Sequence, residues 1–186
     1  MKKINRAFYE RGATRLARDL IGKIIVRRFR RRLYRARIVE TEAYGGLRDL
    51  ASHASKGRTK RNEPMFGPGG HAYVYFIYGM HSLFNIVAGK AGDAQAVLIR
   101  AAEPLAGWKA DLSGPGKLAQ ALRITRAQNE QDLTGNELFL LDDEQYQPRI
   151  RRSRRVGVEY AKEWKDALLR FYDAKSAAVS RPARKT

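Results

Sequence analysis

IVETEAY (residues 38–44) and HAYVYFIYGMHSLFN (71–85), joined by a loop-rich passage ending in MFGPGG (65–70), decide how this chain folds. Side chains alternate between the two faces of a strand. In the first run this puts Ile38, Glu40, Glu42 and Tyr44 on one face and Val39, Thr41 and Ala43 on the other. Neighbours on a face stand about 6.6–7 Å apart, so a carboxylate and an aromatic ring can border one cavity. Alternation does not choose between Glu40 and Glu42, and a strand glutamate is more often an ion-pair partner than a catalyst. In the second run Tyr73, Tyr75 and Ile77 share one face, and Val74, Phe76 and Tyr78 the other. Gly79 bends or breaks the ribbon. A tyrosine here is most simply a buried sheet residue, but Tyr78-Gly79-Met80 has the make-up of a tip that enters a base stack. Asn85, on the return, suits either a local turn bond or a base edge.

Upstream, ATRLARDLI (13–21) sets Leu16 and Leu20 on a helical stripe, with Thr14 as a cap and Gly22 as the stop. KIIVRRF (23–29) reads as a strand, RRR (30–32) as a turn, and LYRARIVETEAY (33–44) as the returning strand. Downstream, AVLIRAAEP (96–104) is a central strand whose Arg100 is the first charge in an apolar run, and a buried Arg demands a carboxylate, phosphate or similar acceptor. SGPGKLAQALRI is a glycine turn leading into a helix. ELFLLD is strand-like. EYAKEWKDALLRFY reads as a helix with a Trp164, Leu168, Phe171 stripe. The end, from Lys175, is expected to fray, with residues 181–186 a flexible tail. With no repeat and no second boundary, residues 1–186 form one α+β domain.

The 37 Lys and Arg against 19 Asp and Glu give a net charge of +18, which points to a polyanionic partner. Arg27, Arg28, Arg30, Arg31, Arg32, Arg35 and Arg37 crowd one hairpin, either a solvated ribbon or a phosphate-facing one. Arg58, Lys60 and Arg61 in RTKRN, and Lys117 at the GPGK turn, are candidate backbone contacts. The chain has no Cys, which removes disulfides, thiol catalysis and Cys-based zinc sites. His53, His71 and His81 are too loosely spaced to suggest a metal site. MFGPGG lacks the strand-to-helix setting of a nucleotide loop, so no cofactor is expected. No signal-peptide core or membrane-length apolar run is present, and a cytoplasmic protein is expected.

In order along the chain, IVETEAYGG, ASHASKGRTKRNEPMFGPGG, HAYVYFIYGMHSLFN, AVLIRAAEP and GPGKLAQAL resemble the alkyladenine (3-methyladenine) DNA glycosylase family of the mammalian type, bacterial members included. The resemblance runs from about Phe8 to Ser180. It implies a curved, predominantly antiparallel sheet with surrounding helices and a protruding hairpin that intercalates in DNA. It implies a monofunctional enzyme that flips a damaged purine from duplex DNA and hydrolyses its N-glycosidic bond, leaving an abasic site. Carried onto this chain, Glu42 resembles the general base and Arg100 its polar partner. Tyr44 and Tyr75 resemble the faces of the base pocket, with His53 closing its edge. Tyr78 resembles the wedge, assisted by Met80, and Asn85 the residue that disfavours guanine. A monomer is implied, nucleoid-associated in a bacterium, with transient contacts to later repair proteins. No lysine suits a Schiff base, so lyase activity is not expected.

The chain departs from the pattern in three places. MFGPGG replaces an MFGPPG-like turn, a Cys before Asn85 is missing, and ALLRFY replaces a Pro-Trp-Arg-Phe-like segment of which Arg170 and Phe171 remain. Two rival classes stay open on sequence. A non-catalytic nucleic-acid-binding protein would keep the charge and the wedge, and a metal-dependent nuclease would cleave phosphodiesters without releasing a base.

Overall fold

Strand β3 (Arg32–Tyr44) is paired along most of its length, but its partner on one edge changes midway. On that edge β2 (Ile24–Phe29) pairs with residues 32–37, and β9 (Arg170–Asp173) takes over at 40–42. On the other edge β6 (Gln95–Pro104) runs beside it from Ala36 to Tyr44. The computed structural model describes residues 1–77 and 81–180. Among them nine strands form one sheet. Outward from β3 and β2 come β7 (Leu138–Asp142) and β1 (Lys2–Lys3). Beyond β6 lie β5 (His81–Ala88) and β4 (Ala72–Ile77), while β8 (Ile150–Ser153) pairs with β9. Every ladder is antiparallel.

One face of the sheet carries the helices. α1 is Arg6–Tyr9, α2 Ala13–Asp19 and α3 Pro115–Ala121. Leu16, Ala17 and Leu20 pack with Ile25, Ile38, Phe84, Ile99, Leu118 and Leu122 in the main core. Each fully buried Leu contributes about 1.5–3 kcal/mol relative to exposure. The α2 stripe is as expected, but Gly12 occupies the N-cap position rather than Thr14, whose side chain is exposed. The opposite face is roofed by short 3₁₀ turns at Gly46–Arg48, His53–Lys56 and Glu63–Phe66, and by residues 154–167.

The alternation of β3 is broken where the site begins. Ile38 pairs with Ala102 and Thr41 with Ile99, but between them Glu40 pairs with Ala101, leaving Val39 and Arg100 without partners in that ladder. Such irregularities re-aim side chains beside functional sites. Ile38 therefore joins the helix-side core, against the expectation that it shares a face with Glu40. Downstream, Thr41 turns to the helices and donates to the Ala17 carbonyl at 2.8 Å, so Glu40, Glu42 and Tyr44 face the other way. On β6 the same shift sends Ala102 to the core and Arg100 to the carboxylates. β4 keeps its expected alternation: Val74 enters the helix-side core, while Tyr73 and Tyr75 pack on the opposite side.

Two expectations near the C-terminal end fail. EYAKEWKDALLRFY is not a helix. It forms a 3₁₀ turn at Lys162–Asp166 and then β9, leaving Leu168 exposed and Phe171 in the core. Pairing with the free edge of β3 overrides the helical spacing. Nor does the chain fray from Lys175. Ser176 Oγ donates to Glu103, and the Ser180 N–H donates to Glu40 Oε2 at 2.6 Å. The proposed tail, 181–186, lies outside the described residues.

The MFGPGG turn is tight. Gly69 N–H donates to the Gly89 carbonyl and Gly70 N–H to that of Val87, both at 2.9 Å. A proline at either position would lose its bond, and Gly70 has φ +83°, which the pyrrolidine ring forbids.

Candidate active site

Between the sheet and its roof of turns lies a cleft of about 340 Å³, lined by Tyr44, His53, Tyr73, Tyr75, Asn85 and Arg100 together with Val156 and Tyr160. Cross-strand register explains the convergence. Glu42 pairs with Leu98, Leu98 with Asn85, and Asn85 with Tyr73, so one row crosses four strands. Six of the residues expected from sequence, Glu42, Arg100, Tyr44, His53, Tyr75 and Asn85, therefore line this cleft or contact a residue that does.

Glu40 and Glu42 are both fully buried, and their surroundings separate them. Glu40 accepts from Arg100 Nε at 2.8 Å, Arg170 Nε at 2.7 Å, and the Ser180 N–H and hydroxyl at 2.6 and 2.9 Å. Three of these donors converge on Oε1 and the Ser180 N–H reaches Oε2. Burial alone raises the Glu40 pKa, but Arg100, Arg170 and Ser180 together outweigh it and hold the carboxyl below its ordinary value. Glu42 is less encumbered. Its Oε1 accepts the Val156 N–H at 2.7 Å, and its Oε2 the Tyr44 hydroxyl at 3.0 Å and Arg100 Nη1 at 3.4 Å. Val156, Tyr44 and Arg100 all line the cleft, so Glu42 sits one contact behind its wall. Burial, and then Glu42, push the Tyr44 phenol well above its ordinary pKa, which keeps it a hydrogen-bond donor.

The opposite wall is aromatic. His53 Nδ1 and the Tyr73 hydroxyl are 2.9 Å apart, and the His53 and Tyr75 rings meet edge-on at 4.5 Å between centroids. Tyr73 and Tyr75 lie tilted at 5.4 Å. Burial pushes the Tyr73 phenol up to about 12. His53 is exposed at the cleft mouth, but the walls on either side, then Arg61 and Lys56, lower its pKa from the ordinary value, which favours a neutral ring. Asn62 holds the His53 turn by donating to the carbonyls of His53 and Gly57 at 3.0 and 2.8 Å. Asn85 Nδ2 donates to the Tyr73 carbonyl at 3.1 Å and the Leu83 carbonyl at 3.4 Å, which orients its amide at the cleft wall.

The remaining expected residues are less concentrated. Tyr78 and Met80 lie outside the described residues, between Ile77 and His81, which pair at the end of the β4–β5 hairpin. Arg61 lies 5.8 Å from the Tyr75 ring centroid and donates to the Phe76 carbonyl at 3.2 Å. Lys60 is exposed. Arg58 is paired with Glu63, and Lys117 with Asp111 at 2.7 Å. Among the described residues no three His, Asp or Glu side chains are grouped to hold a metal ion.

The support behind the cleft was not foreseen. Arg155 and Asp49 form a fully buried two-point pair, Nη1 to Oδ2 at 2.5 Å and Nη2 to Oδ1 at 2.9 Å. Arg155 also donates to the Ala43 carbonyl at 2.9 Å and lies 4.9 Å from the Tyr44 ring centroid. Asp49 accepts the N–H groups of Gly45 and Ala51. The pair thus fixes the end of β3, the turn after it and the segment whose Val156 N–H reaches Glu42. In sequence, Arg155 is one of five arginines between positions 149 and 155. Only its place before Val-Gly-Val hints at burial.

An antiparallel sheet with a buried carboxylate pair behind an aromatic cleft, on a strongly basic chain, is the make-up of an enzyme that acts on a polyanion. The sequence profile described as Methylpurine-DNA glycosylase (MPG) matches residues 7–177. The chain is 47% identical to a provisionally named 3-methyladenine DNA glycosylase of Legionella pneumophila (strain Lens), covering 97% of this chain and 100% of the relative. Relatives of the same provisional name from Anaeromyxobacter sp. (strain Fw109-5) and Methanocella arvoryzae are 48% and 46% identical. These cover 96% and 98% of this chain, and 93% and 98% of the relatives. The chain belongs to the methylpurine-DNA glycosylase family. A DNA glycosylase role in DNA repair follows from that membership.

Proposed function

We propose that this protein is a monofunctional glycosylase that takes an alkylated or deaminated purine out of duplex DNA and hydrolyses its N-glycosidic bond with a water activated by Glu42. The observation that carries the choice is where the donors of the two carboxylates sit. Glu40 has four, from Arg100, Arg170 and Ser180, and of these residues only Arg100 lines the cleft, whereas all three donors of Glu42, from Val156, Tyr44 and Arg100, belong to residues that line it. Glu42 is thus the carboxylate directly behind the wall of a cleft able to take a base. A base must leave the stack before its sugar carbon can be reached. Water oxygen then bonds to C1′ as the C1′–N bond breaks, its proton passes to the Glu42 carboxylate, and the bond's electron pair leaves with the base. A purine alkylated at N3 or N7 is cationic and departs neutral.

Tyr44 and Tyr75 would stack on the base, where cation–π attraction adds about 0.5–2 kcal/mol for a cationic purine. His53 would close the edge of the pocket and Asn85 would disfavour the exocyclic amine of guanine. Tyr78, assisted by Met80, would fill the vacated place in the duplex. Arg100 would hold Glu42 in place and face the target nucleotide. Lys60 and Arg61, and Arg58 and Lys117 once released from their carboxylates, would bind phosphates. The lysines stay in that role, so no lyase step is included.

The test is time-dependent release of hypoxanthine or 3-methyladenine from duplex DNA in the presence of a chelator. Folded, DNA-binding protein that releases neither base over a range of lesions would sink the reading. Phosphodiester cleavage without free base would point to a nuclease instead.

A further inference from the structure

The cleft leaves the most basic part of the chain unused. The β2–β3 hairpin extends away from the site, and Arg32 is ten residues from Glu42 along one strand, up to about 33 Å. That span equals about ten base pairs of duplex. The hairpin's charges are unevenly partnered. Arg37, at its base, is paired with Asp143 at 2.9 Å, and the buried Arg27 faces Glu137 at 3.7 Å. Arg28, Arg30, Arg31, Arg32 and Arg35 are by contrast all exposed, and among the described residues none is ion-paired with a carboxylate. Like charges this close on a two-stranded ribbon repel, so the fold gains nothing from having them there.

The ribbon is also held in shape. Phe29 pairs with Arg32 across the strands, and the Arg30 guanidinium lies 5.5 Å from the Phe29 ring centroid. Tyr34 and Trp108 meet edge-on at 5.1 Å, and the Trp108 indole donates to the Arg35 carbonyl at 2.8 Å. The regular register carries no bulge from Ile24–Arg37 to Phe29–Arg32. A rigid strip of uncompensated guanidiniums is suited to oxyanions repeated at regular intervals, since Arg matches phosphate geometry.

We infer that the β2–β3 hairpin is a second duplex-phosphate contact, separate from the cleft, that grips DNA up to about ten base pairs from the base being processed. The inference rests on the reading that the substrate is duplex DNA, but it does not depend on Glu42. The ribbon contributes electrostatic affinity and no chemistry, because its arginines lie too far from the cleft to touch the base.

The experiment compares wild type with Arg30→Gln/Arg31→Gln/Arg32→Gln, three exposed positions at the hairpin tip, after thermal melting shows both to be folded. Binding to a lesion-free 30-base-pair duplex is measured from 50 to 300 mM salt. Each phosphate that is no longer neutralised flattens the log–log slope by about 0.9, so the variant is expected to fall short of wild type by up to about 2.7 and to bind tens of times more weakly at low salt. Single-turnover base release at saturating enzyme should be unchanged. Equal slopes for the two proteins overturn the inference. So does a slower saturated single turnover, which would place the ribbon in the lesion site. Absence of base release in both proteins, with the slopes differing as expected, would instead count against the glycosylase reading and leave the phosphate contact standing.

Discussion

Glu40 and Glu42 touch the same guanidinium, Arg100 Nε reaching Glu40 at 2.8 Å and Nη1 reaching Glu42 at 3.4 Å. The shorter contact goes to the carboxylate that also holds Arg170 and Ser180, and the longer one to the carboxylate beside the cleft wall. One arginine therefore joins a structural acid to a candidate chemical one.

This division predicts opposite phenotypes for two isosteric changes. Glu42→Gln should melt near wild type and bind damaged duplex, yet lose base release by about 10²–10⁴-fold, the usual contribution of a general base. Glu40→Gln should leave Arg100 and Arg170 buried against a neutral amide and cost about 3–5 kcal/mol of stability. Urea melts and single-turnover kinetics on both variants check the assignment. Undiminished release by a folded Glu42→Gln protein would reject Glu42 as the base.

Acid stability should report on Glu40. Its pKa is lower in the folded state than the ordinary 4.5, so the unfolded chain takes up the proton first as pH falls. The stabilisation is complete above about pH 4.5 and disappears as pH drops through the lower, folded-state value. The stability gap between wild type and Glu40→Gln should thus be widest near neutral pH and close in strong acid. A gap of the same size at pH 7 and pH 3 would show that charge at Glu40 is not what stabilises the fold.

The Asp49–Arg155 pair makes a third prediction, in which stability and turnover move together. Arg155→Met strands a buried carboxylate and should cost about 3–5 kcal/mol, while Asp49→Asn/Arg155→Met should recover much of that loss. Because Val156 N–H bonds Glu42 one residue away, the double variant should still release base slowly even where it folds well. A double variant with wild-type turnover would show that the pair is scaffold only.

Much of this site was legible because period-two patterns survive wherever strands are regular. Tyr73 and Tyr75 face the cleft as alternation requires, and Arg100 found the carboxylates that an arginine in an apolar run demands. The break at Val39 and Arg100 was not legible, since no glycine or proline marks it and it exists only as a mismatch between two strands. Helical spacing misled at Trp164, Leu168 and Phe171 because the open edge of β3 recruits Arg170–Asp173 as a strand. Arg155 was hidden by its neighbours: Arg151, Arg152 and Arg154 are exposed, and nothing local distinguishes the one that is buried.

The glycine turn ahead of β4 offers a measurement of how tightly the aromatic wall is seated. Gly70 has φ +83°, and a Cβ there would lie 2.6 Å from Tyr9 Cδ2, a ring that is fully buried and cannot retreat. Gly107 has a nearly equal φ of +80° but no atom within 4 Å of its would-be Cβ. Gly107→Ala should therefore register backbone strain alone, about 1–3 kcal/mol. Gly70→Ala should exceed it through overpacking, by about 1–3 kcal/mol more. Gly70→Pro should be worse still, because it also removes the N–H that bonds Val87 beside the hairpin carrying Tyr73 and Tyr75. Urea titration of the three variants orders them directly. Equal losses at positions 70 and 107 would mean that Tyr9 can yield, and that the turn does not fix the height of the tyrosine wall above the sheet.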